Sequence, residues 1–171
     1  MSILTGKEIL SRLGGDIQID PFNEEQLNPN SYNLQLFREL LVYRDSVLDP
    51  RKEMRTEKIL IPDSGLVLSP GQLYLGRTVE YTVTENLVPC LSGRSSIGRL
   101  GIVVHQTACF GDTGFSGRWT LEITVTNPVK VYPNLKICQI YYNTVVGEVS
   151  PYTGRYQDDV ETTPCRLFLD N

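Results

Sequence analysis

The sequence predicts an all-β sandwich or barrel, on three observations. Short β-rich runs ("ILIP", "LVLSPG", "TLEITVTNP", "VKVYPN", "ICQIYYNTVVGEV") recur at intervals of about 8 to 12 residues, bounded by Pro, Gly, Asn or Asp. Within them apolar and polar positions alternate, as at Tyr32, Leu34 and Leu36, and at Leu73 and Leu75 in "QLYLGRTVEYTVT". Strands do not alternate with helical segments, so a parallel α/β sheet is excluded.

The elements follow in order. Thr5 with Glu8 three residues later forms a capping box, and Ile9, Leu10 and Leu13 follow at helical spacing before Gly14 and Gly15. This predicts one short helix over 5 to 13. Strands and turns then fill the chain, except at "SSIGRLGIVVH", where Ser95 or Ser96 would cap a single helical turn. From Gly147 onward the chain is polar and turn-rich and reads as a flexible arm. The 171 residues are therefore read as one domain, 1–171, with an arm over about 147–171.

Composition narrows the function classes. The chain is 40% hydrophobic and 21% charged, ordinary values for a globular protein. A net charge of −4 argues against a nucleic-acid partner held by bulk electrostatics. No run of about 18 apolar residues suggests a membrane helix, and "MSILTGKEILSRL" lacks a signal-peptide core. The expectation is a cytoplasmic protein without a membrane partner. Cys90, Cys109, Cys138 and Cys165 form no C-x-x-C pair and read as free thiols.

Catalytic motifs are excluded one by one. His105 is the only histidine, and Cys90 is followed by "LSG", so the H-x-E and P-C-x-x-C pattern of zinc deaminases does not occur. His105 in "IVVHQ" reads as a hydrogen-bonded core residue. There is no G-x-S-x-G elbow and no Walker pattern. "GRSS" at 93–96 places hydroxyls beside a guanidinium at a turn, which suits either a phosphate chain or a plain helix cap with surface arginines. Arg99 falls four residues after Ser95, on the same face of a helical turn. In "RWTLEITV" alternation puts Trp119, Leu121 and Ile123 on one face and Thr120, Glu122 and Thr124 on the other. Alone, Glu122 is a polar strand residue and Asp112 in "FGDTGFSG" a turn former.

Together, "GRSSIGRLG", "HQTA", "D-x-G-F-x-G" and "TLE" resemble the dCTP deaminase family of the trimeric dUTPase-like superfamily. "LNPNSYNLQL" at 27–36, "ICQIYY" at 137–142 and "PYTGRYQ" at 151–157 extend the likeness over nearly the whole chain. The resemblance implies a distorted β-barrel of jelly-roll character, a homotrimer with interfacial active sites, and a C-terminal lid. It implies zinc-free deamination of dCTP to dUTP and ammonia, with magnesium carried by the triphosphate and no metal ligands from the protein. A dTTP inhibitor and a place in deoxynucleotide metabolism also follow from it.

The resemblance assigns roles residue by residue. Glu122 is implied as the proton shuttle from water to the ring nitrogen and leaving amine, a task suited to a buried carboxylate. Ser95, Arg99 and the Ala108 carbonyl are implied around the catalytic water. Arg94, Ser96, Ile97 and Gly98 belong to the phosphate-binding part of the same block. Asp112 would hold the sugar 3′-hydroxyl, with Phe115 packed beneath the sugar to exclude a 2′-hydroxyl. The strand backbone at Thr120 and Leu121 would read the pyrimidine edge, Gln139 and Tyr152 would make later nucleotide contacts, and Arg155 would reach the triphosphate.

Three positions depart from the family pattern. Asn33 stands where an aspartate is common, Gly111 where isoleucine is usual, and Asp159 where a glutamine often meets phosphate. A loosened Gly111 turn and repulsion from Asp158 and Asp159 favour dUTP as the main product. The alternative is a bifunctional enzyme giving dUMP and diphosphate. Lesser alternatives are a plain dUTPase, whose glycine-rich tail motif is lacking, and a non-catalytic nucleotide sensor.

Overall fold

Thr5 caps the first helix, α1 (Gly6–Ser11), its hydroxyl accepting from the Glu8 N–H at 3.2 Å. The helix predicted over 5 to 13 ends earlier, at Ser11, with Arg12 as its C-cap. The Glu8 carboxylate turns to Arg12, 2.7 Å from Nε, and Gly14 takes a φ of +79° that ends the element early. The computed structural model describes residues 2–170.

Strands then follow in quick succession. They are β1 (Ile17–Asp20), β2 (Tyr32–Gln35), β3 (Glu39–Tyr43), β4 (Thr56–Leu60), β5 (Leu66–Leu68), β6 (Tyr74–Arg77) and β7 (Tyr81–Thr84). After β8 (Leu87–Gly93) comes one turn of helix, α2 (Ser95–Gly98). The remaining strands are β9 (Ile102–Val103), β10 (Ser116–Gly117), β11 (Thr120–Val125), β12 (Val129–Val131) and β13 (Lys136–Thr144).

They form four sheets with orders β1-β7-β10, β4-β3-β6-β11-β9, β12-β5 and β2-β13-β8. The expected all-β, jelly-roll-like layering is present, but the sheets do not close into a hydrogen-bonded barrel. In the five-stranded sheet β4 and β9 each pair on one side only, and several strands are too short to bridge to the next sheet.

Alternation places the core. Tyr32, Leu34 and Leu36 are buried, as are Leu121, Ile123 and Val125 on one face of β11. The other face of β11 carries Thr120, Glu122 and Thr124, half-buried. Leu75 lies opposite Glu122 across the β6–β11 pair, and Leu41 lies opposite Leu75 across β3–β6. Leu41 and Leu75 are buried yet stand outside the main core. This sheet therefore has a second, functional face. The alternating Leu73 and Leu75 lie on that face.

The chain beyond Gly147 is docked where the sequence suggests a flexible arm. The Tyr152 N–H donates to Thr113 O at 2.7 Å and the Asp158 N–H to Ser116 O at 2.8 Å. The Arg118 N–H donates to Asp159 O at 2.7 Å, and the Thr163 N–H to Thr120 Oγ1 at 3.1 Å. The Cys165 N–H donates to the Tyr43 hydroxyl at 3.0 Å. Backbone groups of the arm that would otherwise need water are thus satisfied by the Asp112 turn, by β10 and by the second sheet face, and Thr162 and Thr163 are buried.

Candidate active site

Between that face and the docked arm lies a cavity of about 650 Å³. Its floor comes from β3, β6 and β11, and its roof from the arm and the β3–β4 connection. Glu122 reaches it because strand alternation turns the residue away from the core. Its Oε2 lies 2.6 Å from Nδ1 of His105. One step along the same face, Gln106 Nε2 donates to Thr124 Oγ1 at 2.8 Å. Residues 105 and 106 thus lie along the polar face of β11, with Ala108 and Phe110 following at the cavity.

The His105 side chain is 7% exposed and its Nε2 is buried without a partner, whereas Glu122 is 32% exposed. A single bond therefore orients both groups: histidine holds one carboxylate oxygen, and the other is left for a ligand. The sequence reading of His105 as a hydrogen-bonded core residue agrees with its burial and its bond, but did not identify Glu122 as the partner. The adjoining "HQTA" was the available signal, since a motif next to the polar strand face brings its side chains to that face.

The turn carrying Asp112 is tight. Gly111 donates to Pro89 O at 2.9 Å, and Trp119 and Pro89 fill the space a side chain would need. This corrects the expectation that Gly111 loosens the turn: glycine is there because nothing larger fits. Phe115 packs at a tilt on Trp119, ring centroids 4.7 Å apart, and edge-to-face on Tyr152 at 6.0 Å, forming an aromatic end wall.

Glu122, Ala108, Asp112, Phe115, Thr120 and Tyr152 all line this cavity, so six predicted positions meet. The Leu121 side chain is in the core, which leaves only its backbone for the role the resemblance implies. The "GRSS" block lies elsewhere. Neither serine caps α2; Arg94 occupies the cap position in an extended conformation, with its guanidinium donating to Lys136 O at 2.7 Å. Ile97 anchors the turn in the core, which leaves Ser95, Ser96, Gly98 and Arg99 exposed. Gln139 sits beside this block, donating to Gly93 O at 3.1 Å and accepting from Ser31 Oγ at 2.7 Å. Asn33 pairs with Asn28 through its side-chain amide at 3.2 Å.

Arg155 is also absent from the cavity lining, its guanidinium held by the Asp170 carboxylate at 2.6 and 2.5 Å and by Arg166 O at 2.8 Å. The two acids expected to repel phosphate are engaged as well. Asp158 accepts from Ser116 and Tyr81, and Asp159 pairs with Arg166 at 3.2 Å. Tyr43 was missed by sequence reading. It lines the cavity and holds the arm, and burial raises its phenol pKa, opposed by the hydrogen bond from Cys165. Among the described residues, no group of three or more His, Cys, Asp or Glu side chains comes together as a metal site. No helix among them is long and apolar enough to cross a membrane.

A family model described as dCTP deaminase-like matches residues 3–145. A relative from Hathewaya histolytica named "dCTP deaminase, dUMP-forming" is 59% identical over 169 residues, covering 98% of each chain. A relative of the same name from Leptospira biflexa serovar Patoc is also 59% identical, over 98% of this chain and 97% of its own. The crystal structure of 2′-deoxycytidine 5′-triphosphate deaminase from Agrobacterium tumefaciens superposes with a TM-score of 0.66 at 23% identity. That match covers 82% of this chain and 47% of the other, so this chain spans about half of that protein, and the likeness is one of fold.

Proposed function

The chain belongs to the dCTP deaminase-like family, and on that footing we propose that it converts dCTP and two waters to dUMP, ammonia and diphosphate. The observation that carries the reading is full-length identity of 59% to relatives named as dUMP-forming. It reverses the expectation that dUTP is the main product. The two reasons for that expectation also weaken, since the Asp112 turn is tightly held and Asp158 and Asp159 are already paired.

In the deamination, water adds to C4 of the cytosine ring, the C4–N bond breaks, and ammonia leaves as the carbonyl forms. Glu122 takes the proton from water and passes it to the ring nitrogen and the amine. His105 fixes the carboxylate's orientation through Oε2, so the free oxygen faces the substrate without a search over rotamers. The Ala108 carbonyl, at the same wall, accepts from the water. Asp112 takes the sugar hydroxyl and helps orient the second water, which cleaves between the α- and β-phosphates. Phe115, pressed between Trp119 and Tyr152, packs beneath the deoxyribose.

The rest of the site comes from a second copy of the chain. Ser95, Ser96 and Arg99 are exposed and lie outside the cavity that holds Glu122. Exposed Leu100 and Val103 beside them, and Phe110 at the cavity, supply apolar surface for subunit contact. A homotrimer joins the two half-sites, with Arg94, Gln139 and the "SSIG" turn meeting the nucleotide from the neighbouring subunit. Magnesium enters as part of the substrate, bound to the triphosphate. Arg155 reaches that triphosphate only by leaving Asp170, and dTTP competes for the same site. The whole chain works as one cytoplasmic catalytic unit.

The test is a time course with dCTP as sole substrate and magnesium present, resolving dUTP, dUMP, diphosphate and ammonia. Diphosphate and ammonia should appear in equal amounts from the first turnovers. Accumulation of dUTP with ammonia alone would return the reading to a dUTP-forming deaminase.

A further inference from the structure

The turn at 28–31 in "LNPNSYNLQL", closed by the Asn28 N–H donating to Ser31 O at 2.8 Å, lies outside the cavity, and no step of the reaction uses it. Its side chains nevertheless form one continuous run of hydrogen bonds toward the phosphate-binding block. Asn33 Nδ2 donates to Asn28 Oδ1 at 3.2 Å, and Asn28 Nδ2 donates to Ser31 Oγ at 3.1 Å. Ser31 Oγ donates to Gln139 Oε1 at 2.7 Å, and Gln139 Nε2 to Gly93 O at 3.1 Å, on the residue before Arg94. Ser31 and Asn33 are buried, while Asn28 and Gln139 are half-buried.

The sense of this run is fixed from its far end. A backbone carbonyl can only accept, so Gly93 O takes the amide nitrogen of Gln139 and leaves Oε1 facing Ser31. Oε1 then needs the Ser31 proton, so the Ser31 oxygen accepts from the Asn28 amide, and Asn28 Oδ1 accepts from Asn33. One N–H of Gln139 is bound to Gly93 O, and the other has no partner among the described residues. Gln139 therefore offers a free N–H, and a donor is what a phosphate oxygen requires. We propose that Ser31 is a positioning residue for the nucleotide. It acts through Gln139, holding the amide oxygen so that an N–H stays turned outward for the triphosphate. This rests on the reading above, in which Gln139 meets the nucleotide bound at the neighbouring subunit. Without the Ser31 hydroxyl the amide loses one of its two anchors, and its reversal would set a carbonyl against phosphate.

The experiment measures kcat and KM for dCTP with magnesium, by ammonia release, on the full chain as wild type, Ser31→Ala, Gln139→Ala and the double variant. Ser31→Ala is expected to raise KM about fivefold, the scale of one hydrogen bond, with kcat within about twofold of wild type. Gln139→Ala should raise KM at least as much. In the Gln139→Ala background, Ser31→Ala should change KM less than about twofold, because both substitutions remove the same interaction. Asn28→Ala, at a half-buried position, should show the same pattern at about threefold in KM, and it is read in place of Ser31→Ala if that variant does not fold. An unchanged KM, a loss confined to kcat, or effects that multiply in the double variant would make the turn a structural element alone and overturn the proposal. An unchanged KM for Gln139→Ala, with ammonia still released, would refute the nucleotide contact and this proposal with it, and leave the deaminase reading standing. No ammonia from the wild type would refute both.

Discussion

Gly111 presses against Trp119 so closely that a Cβ on it would lie 2.4 Å from the ring carbon Cη2 and 2.9 Å from the Pro89 carbonyl. The contact joins the Asp112 turn to the aromatic wall formed by Trp119 and Phe115. Gly111→Ala must push one of them aside. The expected loss is about 1–3 kcal/mol of stability, from overpacking, measured by urea unfolding. Activity should fall further than stability alone explains, since Asp112 moves with the turn. A fully stable, fully active alanine variant would show that the turn relaxes freely.

Glu122→Gln is nearly isosteric and keeps the contact with His105, but an amide cannot shuttle protons. Ammonia release should fall by roughly 10²–10⁴ with the fold unchanged. Near-normal turnover, followed by an ammonia assay, would remove Glu122 from the proton path.

His105→Ala leaves the carboxylate chemistry in place and removes the group that aims it. Turnover is expected to drop by about 10²-fold, the scale of a catalytic group displaced by an ångström. KM should change little, because the imidazole faces Glu122. Separate determination of kcat and KM decides: a loss confined to KM would make His105 a binding residue.

Tyr43→Phe deletes the acceptor for the Cys165 N–H and nothing else in the arm's hydrogen bonding. The cost is about 0.5–1.5 kcal/mol, felt locally. Amide exchange at Cys165 and its neighbours should speed up while the β11 amides stay protected. Unchanged exchange there would mean the arm is held by its other contacts alone.

Glu80 is fully buried, accepting from Gln26 Nε2 and from the Gln35 N–H at 2.8 Å each. Desolvation raises its pKa above the ordinary 4.5, partly offset by those hydrogen bonds. As pH rises past 4.5 the unfolded chain ionises first, so stability falls until the raised folded value is passed and then levels off. Glu80→Gln stays neutral throughout and lacks that slope. The melting-temperature gap, wild type minus variant, should shrink as pH rises from 4.5. A gap that widened with pH would mean the carboxylate is stabilised, not penalised, by its surroundings.

The sequence by itself determined the strand-and-turn architecture, the family, and which face of β11 is polar, because these depend on alternation and motif order within short stretches. The position of Glu122 opposite Leu75 follows from the same alternation once the strands pair. The His105–Glu122 bond was not legible from alternation. It joins residues 17 apart, and alternation says nothing about which loop lies over a strand. The roof of the cavity is likewise a tertiary matter. A polar tail reads as flexible until Thr120 Oγ1 and the Tyr43 hydroxyl are found waiting for its N–H groups. Gly111 makes the same point most sharply. In sequence it is a residue of great freedom, and in the folded chain a side chain there has no room, because Trp119 and Pro89, from just before β11 and from β8, fill the space beside it.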